Sequence, residues 1–457
     1  MAKEHLKSRL GFILISVGCA IGIGNVWKFP YITGQNGGGL FVLIYLFFLA
    51  VLGIPVLVME FSLGRASQKS PSQMYQVLEP KGSKWHLHGY VTVIGCYLLM
   101  MFYSTVSGWM LDYFVKMLKG DFVAANTAEV QTIYDAMLQS PLEQILFTGI
   151  TLVLAVVICS IGLQKGLEKV TKVIMVALLA IMLVLAVNSI FLPGSKEGLS
   201  FYLLPSIENM KAAGVGNVVV AAMNQAFFTL SLGIGSMAIF GSYIGKERSL
   251  LGESVNITLL DTFVAVTSGL IIFPACFTYD IPVNAGPQLI FVTLPNVFIN
   301  MPGGRIWGSL FFLFMTFAAF STVLAVFQNI VANTRDTFGW SLKKACLING
   351  ALLFVLSLPC IFGYNILSGF TPFGEGSAIL DLEDFIVSNV LLPLGSFIFI
   401  IFCTSRYGWG WKNFKEEANQ GKGLKVQNWM RGYMTYVLPV IVLILFIVGI
   451  VTKFLPA

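Results

Sequence analysis

The feature that most constrains this chain is a series of apolar runs too long for the core of a soluble domain. Phe41 to Val58, Ile145 to Ile161, Val173 to Leu192 and Val437 to Val451 each approach the length a helix needs to cross a hydrocarbon layer of about 30 Å. Backbone N–H and C=O groups find no water in such a layer, so each run has to satisfy them internally as helix. Charged residues agree with this, at 11% of the chain against roughly 25% in soluble domains. Hydropathy windows cut at Gly, Pro and charge breaks predict eleven spans, centred near residues 22, 52, 103, 151, 181, 230, 264, 320, 352, 393 and 443. The expected fold is an all-α membrane protein. The first apolar run continues past Trp27 without a small-residue cleavage pattern, so it reads as a retained span.

The net charge of +6 is explained by its distribution. With the N-terminus in the cytoplasm, Lys3, Lys7, Arg9, Arg65, Lys69, Lys81, Lys84, Lys165, Lys169 and Lys172 fall on the inside. So do Lys246, Arg248, Arg335, Lys343, Lys344, Arg406, Lys412, Lys415, Lys422, Lys425 and Arg431, which together are most of the chain's 28 basic residues. The positive-inside rule selects this orientation, and no nucleic-acid partner is needed to explain the charge. Seven cysteines sit singly on or beside apolar segments, with no CxxC or Cys/His spacing, and read as packing residues.

Two spans carry glycine runs near their middles. Span 1 contains Gly18-Cys19-Ala20-Ile21-Gly22-Ile23-Gly24-Asn25, and span 6 contains Phe228-Thr229-Leu230-Ser231-Leu232-Gly233-Ile234-Gly235-Ser236. Each glycine costs a helix about 1 kcal/mol relative to alanine, so clusters make local unwinding cheap. One such run also fits a close-packed GxxxG helix contact. Two runs five spans apart fit better the broken helices of an inverted-repeat transporter. Residues 1–192 (spans 1 to 5) and 193–405 (spans 6 to 10) are therefore expected to form inverted halves, with residues 406–457 adding a cytoplasmic loop and span 11.

Unwound backbone at membrane depth must face a cavity or hold something. Carbonyls closing the first half-helix of span 1 suit a cation, and the N–H groups opening the second half suit a carboxylate. Around the breaks lie the oxygen-bearing side chains of Asn25, Thr229, Ser231, Asp261, Ser321 and Thr322. Hard oxygen donors suit a small hard cation. Ser321 and Thr322 alone could simply bond carbonyls one turn back. Asp261 is harder to place, because a mid-membrane carboxylate costs at least about 3 kcal/mol on insertion scales unless it is paired, protonated or bound to an ion. Glu60 reads as structural, accepting from N–H groups freed at the breaks.

These stretches, together with Asn36-Gly37-Gly38-Gly39, Gly53 to Glu60, Gln225 to Gly233 and Ala318 to Thr322, resemble the neurotransmitter:sodium symporter family. The resemblance runs to about residue 405, and eleven spans resemble its common bacterial branch, which includes leucine, tyrosine and tryptophan transporters. It implies a multi-pass protein of the bacterial cytoplasmic membrane that imports an amino acid with Na⁺. No enzyme, and no obligate protein partner, is implied.

Carried over by position, the first sodium site comprises the Ala20 carbonyl, Asn25, Thr229, Asp261 and the substrate carboxylate. The second uses carbonyls of Gly18, Ile21 and Ala318 with the hydroxyls of Ser321 and Thr322. Cys19, Ala20, Ile23, Gly24, Leu99, Tyr103, Phe228, Thr229, Ser231, Ile234, Thr322 and Val326 surround the substrate, with Tyr103 bonding its carboxylate and Phe228 forming a lid. Lys28 with Asp384 gives an outer gate, and Lys3 with Asp336, near Tyr243, an inner one. Lys28 stands where the family more often has arginine, and Val176 where many members have proline, which makes unwinding of span 5 less expected here.

Three further expectations follow. Gly22 replaces the aspartate of monoamine carriers, so the substrate keeps its own carboxylate. Apolar walls with no charged residue imply a hydrophobic, aromatic side chain, with small aliphatic amino acids as the alternative. Asp261 stands where chloride-dependent relatives have asparagine, and Ala265 lacks a hydroxyl, so no chloride is expected; a vacated Asp261 is expected to take up a proton. The rival classes are an intramembrane enzyme, for which no HExxH, GxGD or Ser/His pairing is present and whose only histidines would be His5, His86 and His88, and a channel or substrate sensor.

Overall fold

The computed structural model describes residues 6, 8–123, 125–280 and 288–454. It is helical throughout, with no strand among the described residues. Nine helices are long and apolar enough to cross a membrane: Gly39–Ser67, His86–Lys119, Pro141–Ser160, Leu163–Ile190, Leu250–Thr278, Gly304–Phe338, Leu342–Phe362, Ile379–Thr404 and Met430–Val451. They carry here the numbers 2 to 5 and 7 to 11 of their place in the sequence. Segment 1 is the pair Arg9–Ala20 and Gly24–Gln35, bent by 55° at the glycine run, and with it the count by length and composition reaches ten. Segment 6 is Val215–Thr229 followed, after a break, by the six-residue Ser236–Gly241. Each half is too short to span alone, because the run Leu230 to Gly235 leaves the helix where expected.

The breaks have local causes. Gly233 adopts φ +99°, and a Cβ there would meet the Leu392 carbonyl oxygen at 2.1 Å, so only glycine lets segment 6 lie backbone to backbone on segment 10. Ser231, at φ +50°, shares the left-handed conformation and is held by a bond from its hydroxyl to the Cys19 carbonyl at 3.4 Å. Pro30 lies within the outer half of segment 1, just after its opening π-turn Gly24–Lys28.

Segments 1, 3, 6, 7 and 8 form the interior. Segment 8 is buried along most of its length from Phe311 to Thr334, and segment 3 packs along it. Segments 4, 5 and 11 turn Leu146, Val153, Val173, Val176, Val440 and Ile447 outward, as lipid-facing helices do. All seven cysteines are buried and unpaired, in keeping with a packing role. Segment 5 is continuous α-helix through Val176 and begins with the wider π-turn Leu163–Glu168.

Candidate functional site

The two breaks face one another at the centre of the bundle, and polar side chains collect there. Asp261, fully buried on segment 7, accepts from Asn25 Nδ2 at 2.7 Å through Oδ1 and from the Thr229 hydroxyl at 3.0 Å through Oδ2. The same Asn25 amide reaches Thr229 Oγ1 at 3.0 Å, and its own oxygen accepts from Gly22 N at 3.2 Å. Among the described residues no basic side chain forms an ion pair with Asp261. A buried carboxylate supported only by neutral groups favours a cation beside it. Rotating the Asn25 amide by half a turn exchanges its nitrogen and oxygen with little change of shape, and would present an oxygen ligand.

A second group of oxygens lies where segment 8 touches the first break. Ser321 Oγ donates to Ala318 O at 2.9 Å and to Ile21 O at 3.2 Å. Thr322 Oγ1 approaches Ile21 O at 3.2 Å and the carbonyls of Gly18 and Cys19, each at 3.4 Å. Ser321 thus does both things open to it, bonding one turn back within its own helix and reaching across to segment 1. Among the described residues no three His, Cys, Asp or Glu converge, so these oxygen sets suit a hard cation and no soft-metal cluster accompanies them.

Between the two groups is a closely packed cavity of about 20 Å³ lined by Ala20, Gly22, Gly24, Leu99, Tyr103, Phe228, Ser231, Ile234, Thr322, Val387 and Leu392. Eight of the residues expected around the substrate are therefore together. Three are elsewhere: Ile23 lines the outer vestibule, the Cys19 side chain is packed away while its carbonyl accepts from Ser231, and Val326 is buried outside the lining. Thr229 turns to Asp261 instead. Sequence reasoning missed Gly22 as a wall, and missed Val387 and Leu392 altogether.

Tyr103 OH accepts from Ile23 N at 2.9 Å and lies beside the Thr322 hydroxyl, and its own proton can be donated at this end of the cavity. A Cβ on Gly22 would come within 2.2 Å of that oxygen and 2.6 Å of Thr322 Oγ1, so the space beside the first break exists only with glycine. Glu60 accepts from Gly233 N at 2.6 Å, a carboxylate meeting an N–H freed by the break in segment 6.

Above the cavity, Phe228 and Tyr103 also line a vestibule of about 160 Å³ with Trp27, Lys28, Tyr31, Asp381 and Asp384. Lys28 Nζ lies 3.8 Å from Asp384 Oδ2 and 3.7 Å from the Phe228 ring centre, tying the pair to the lid. Of the expected inner pair, Lys3 lies outside the described residues. Asp336 Oδ2 accepts from Ser70 N at 2.8 Å, and Tyr243 OH accepts from Gln328 at 3.2 Å. A different clasp is present beneath the cavity. Glu168 accepts from Ser8 at 3.1 Å and Lys172 at 2.7 Å, and Arg9 pairs with Glu253 at 3.0 Å. It ties the start of segment 1 to segments 5 and 7. Only the occurrence of acids at the inner ends of two spans, against the trend of basic residues there, could have signalled it.

A broken-helix bundle with oxygen-lined breaks is the architecture of a sodium-coupled carrier, and the chain belongs to the sodium:neurotransmitter symporter family, whose model matches residues 3–139 and 141–456. It is thus a sodium-dependent symporter and not an enzyme. YhdH of Bacillus subtilis (strain 168), described as an uncharacterized sodium-dependent transporter, is 35% identical over 395 residues, 86% of each chain. An uncharacterized sodium-dependent transporter of Haemophilus influenzae is 30% identical over 459 residues, 97% of this chain and 98% of its own. The crystal structure of MhsT in complex with L-phenylalanine matches with a TM-score of 0.87 at 34% identity, covering 98% of this chain and 100% of that one.

Proposed function

We infer that the chain imports a hydrophobic, preferentially aromatic, L-amino acid together with two Na⁺ ions, without chloride, by alternating access across a bacterial cytoplasmic membrane. In this reading the N-terminus is cytoplasmic, eleven segments cross the bilayer, and residues 1–192 and 193–405 are inverted halves that rock about the breaks. The chain works without an obligate protein partner.

The observation that carries the substrate class is the cavity itself. Its walls are Leu99, Ile234, Val387, Leu392 and Phe228, with no charged side chain, while its polar groups gather at one end on Tyr103, Ser231 and Thr322. An amino acid would place its carboxylate toward Tyr103 and the first sodium site and its side chain against the apolar wall. The L-phenylalanine held by the related MhsT supports the aromatic preference. Asp261 supplies the negative charge beside the first sodium, which removes the need for an anion.

Competition for labelled L-phenylalanine uptake by a panel of amino acids tests the class. Tyrosine, tryptophan, phenylalanine and leucine should compete, with loose discrimination among them because one methylene is worth only about 1–3 kcal/mol. Tryptamine, which lacks the carboxylate, should not. Stronger competition by glutamate, lysine or tryptamine overturns the assignment, and stronger competition by alanine replaces the aromatic reading with the small aliphatic one. Uptake should be unchanged when gluconate replaces chloride.

A further inference from the structure

Away from the transport cavity, a groove of about 640 Å³ lies between the short helix Trp411–Ala418 and the first turn of segment 11. The helix is amphipathic: Trp411, Phe414 and Ala418 are buried, while Lys412, Asn413 and Glu416 face out. Three basic side chains, Lys412, Lys415 and Arg431, line the groove against one carboxylate, Glu416. Lys415 is already positioned, its Nζ donating to Asn428 Oδ1 at 2.6 Å. Lys412 and Arg431 are exposed, and among the described residues neither forms an ion pair.

Arg431 joins the groove to the start of segment 11, whose outer face is exposed. Trp429 and Tyr436, which flank Arg431 in sequence, are 75% and 72% exposed, and Val440, Leu443 and Ile444 are exposed further along the same segment. Exposed aromatic side chains followed by an exposed apolar helix face mark a membrane interface. A molecule matching both parts has an anionic head and apolar tails. We propose that this groove binds the phosphate headgroup of an anionic phospholipid whose acyl chains lie along segment 11. Arg431 offers a guanidinium fork and the two lysines compact charges, both suited to phosphate oxygens. The leaflet that supplies the lipid rests on the N-terminus-inside orientation proposed above. Binding in detergent does not depend on orientation, so the two ideas fail separately.

Native mass spectrometry of the full-length chain in detergent, titrated with dioleoyl phosphatidylglycerol or phosphatidylcholine, tests the site. Phosphatidylglycerol should be retained at least about tenfold better, with the preference weakening as ionic strength rises. Each charge removed should cost roughly fivefold, so Lys412→Gln with Arg431→Gln should abolish the preference. Lys412→Arg with Arg431→Lys keeps both charges and should keep the preference, which separates lost charge from lost folding. Lys343→Gln with Lys344→Gln, at an unrelated exposed site, should also keep it. The proposal is overturned by equal binding of the two lipids, by a Lys412→Gln/Arg431→Gln variant that retains the preference, or by glycerol 1-phosphate displacing the lipid at equal concentration.

Discussion

Replacing Asp261 by asparagine separates the charge of the first sodium site from its shape. Asp261 accepts from Asn25 at 2.7 Å and from Thr229 at 3.0 Å. An asparagine can keep both contacts, its oxygen accepting from Asn25 and its NH₂ donating to the Thr229 hydroxyl oxygen, which accepts as readily as it donates. Folding should therefore survive, and only the charge is lost. At a separation of about 4 Å and an effective dielectric near 20, a unit charge beside Na⁺ is worth about 4 kcal/mol. That corresponds to nearly a thousandfold in an equilibrium constant. A proton taken up by the vacated carboxylate competes with Na⁺ in the unmodified protein, which reduces the net effect to about a hundred- to a thousandfold. In a Na⁺ titration of labelled L-phenylalanine binding to purified protein, the half-saturating Na⁺ concentration should rise by that factor. Adding Ala265→Ser, one turn along segment 7, should make part of the loss recoverable by chloride. A half-saturation within about threefold of the unmodified protein would refute the role given to this carboxylate.

Gly22→Ala should leave the protein folded but abolish substrate binding, because the added Cβ falls 2.2 Å from Tyr103 OH and 2.6 Å from Thr322 Oγ1; equilibrium binding checks it. Lys28→Gln or Asp384→Asn should weaken uptake by less than about fivefold, since a half-exposed pair is worth at most about 1 kcal/mol and this one is a single contact at 3.8 Å. Steady-state uptake kinetics decide that. Glu168→Gln loosens the clasp with Ser8 and Lys172, so alkylation of a cysteine introduced at the inner face should become faster in the substrate-free protein.

The breaks were legible because glycine runs inside apolar segments are expensive without a reason, and Asn25, Thr229 and Asp261 because polar atoms at membrane depth demand partners. The same logic placed Glu60 on a freed N–H. Val387 and Leu392 were invisible: apolar residues in an apolar segment carry no mark of which face lines a cavity. The π-turn Ile386–Leu391, where Val387 sits, has no sequence signature either. Val326 illustrates the converse, a residue expected in the lining that is buried and does not line the cavity. The Glu168 and Glu253 contacts were hidden because charges at span ends read first as topology signals. Their partners, Ser8 and Arg9, are far away in sequence.

Coupling of substrate movement to Na⁺ is read out by accumulation in proteoliposomes. With the purified chain reconstituted into vesicles and an inward Na⁺ gradient imposed, labelled L-phenylalanine should rise inside above its external concentration, and fall back to equality when an ionophore collapses the gradient. Uptake that only equilibrates, or that proceeds equally with K⁺ in place of Na⁺, would make the chain a channel or an uncoupled carrier. Sodium-dependent binding with no uptake would make it a sensor, and either result would contradict the account.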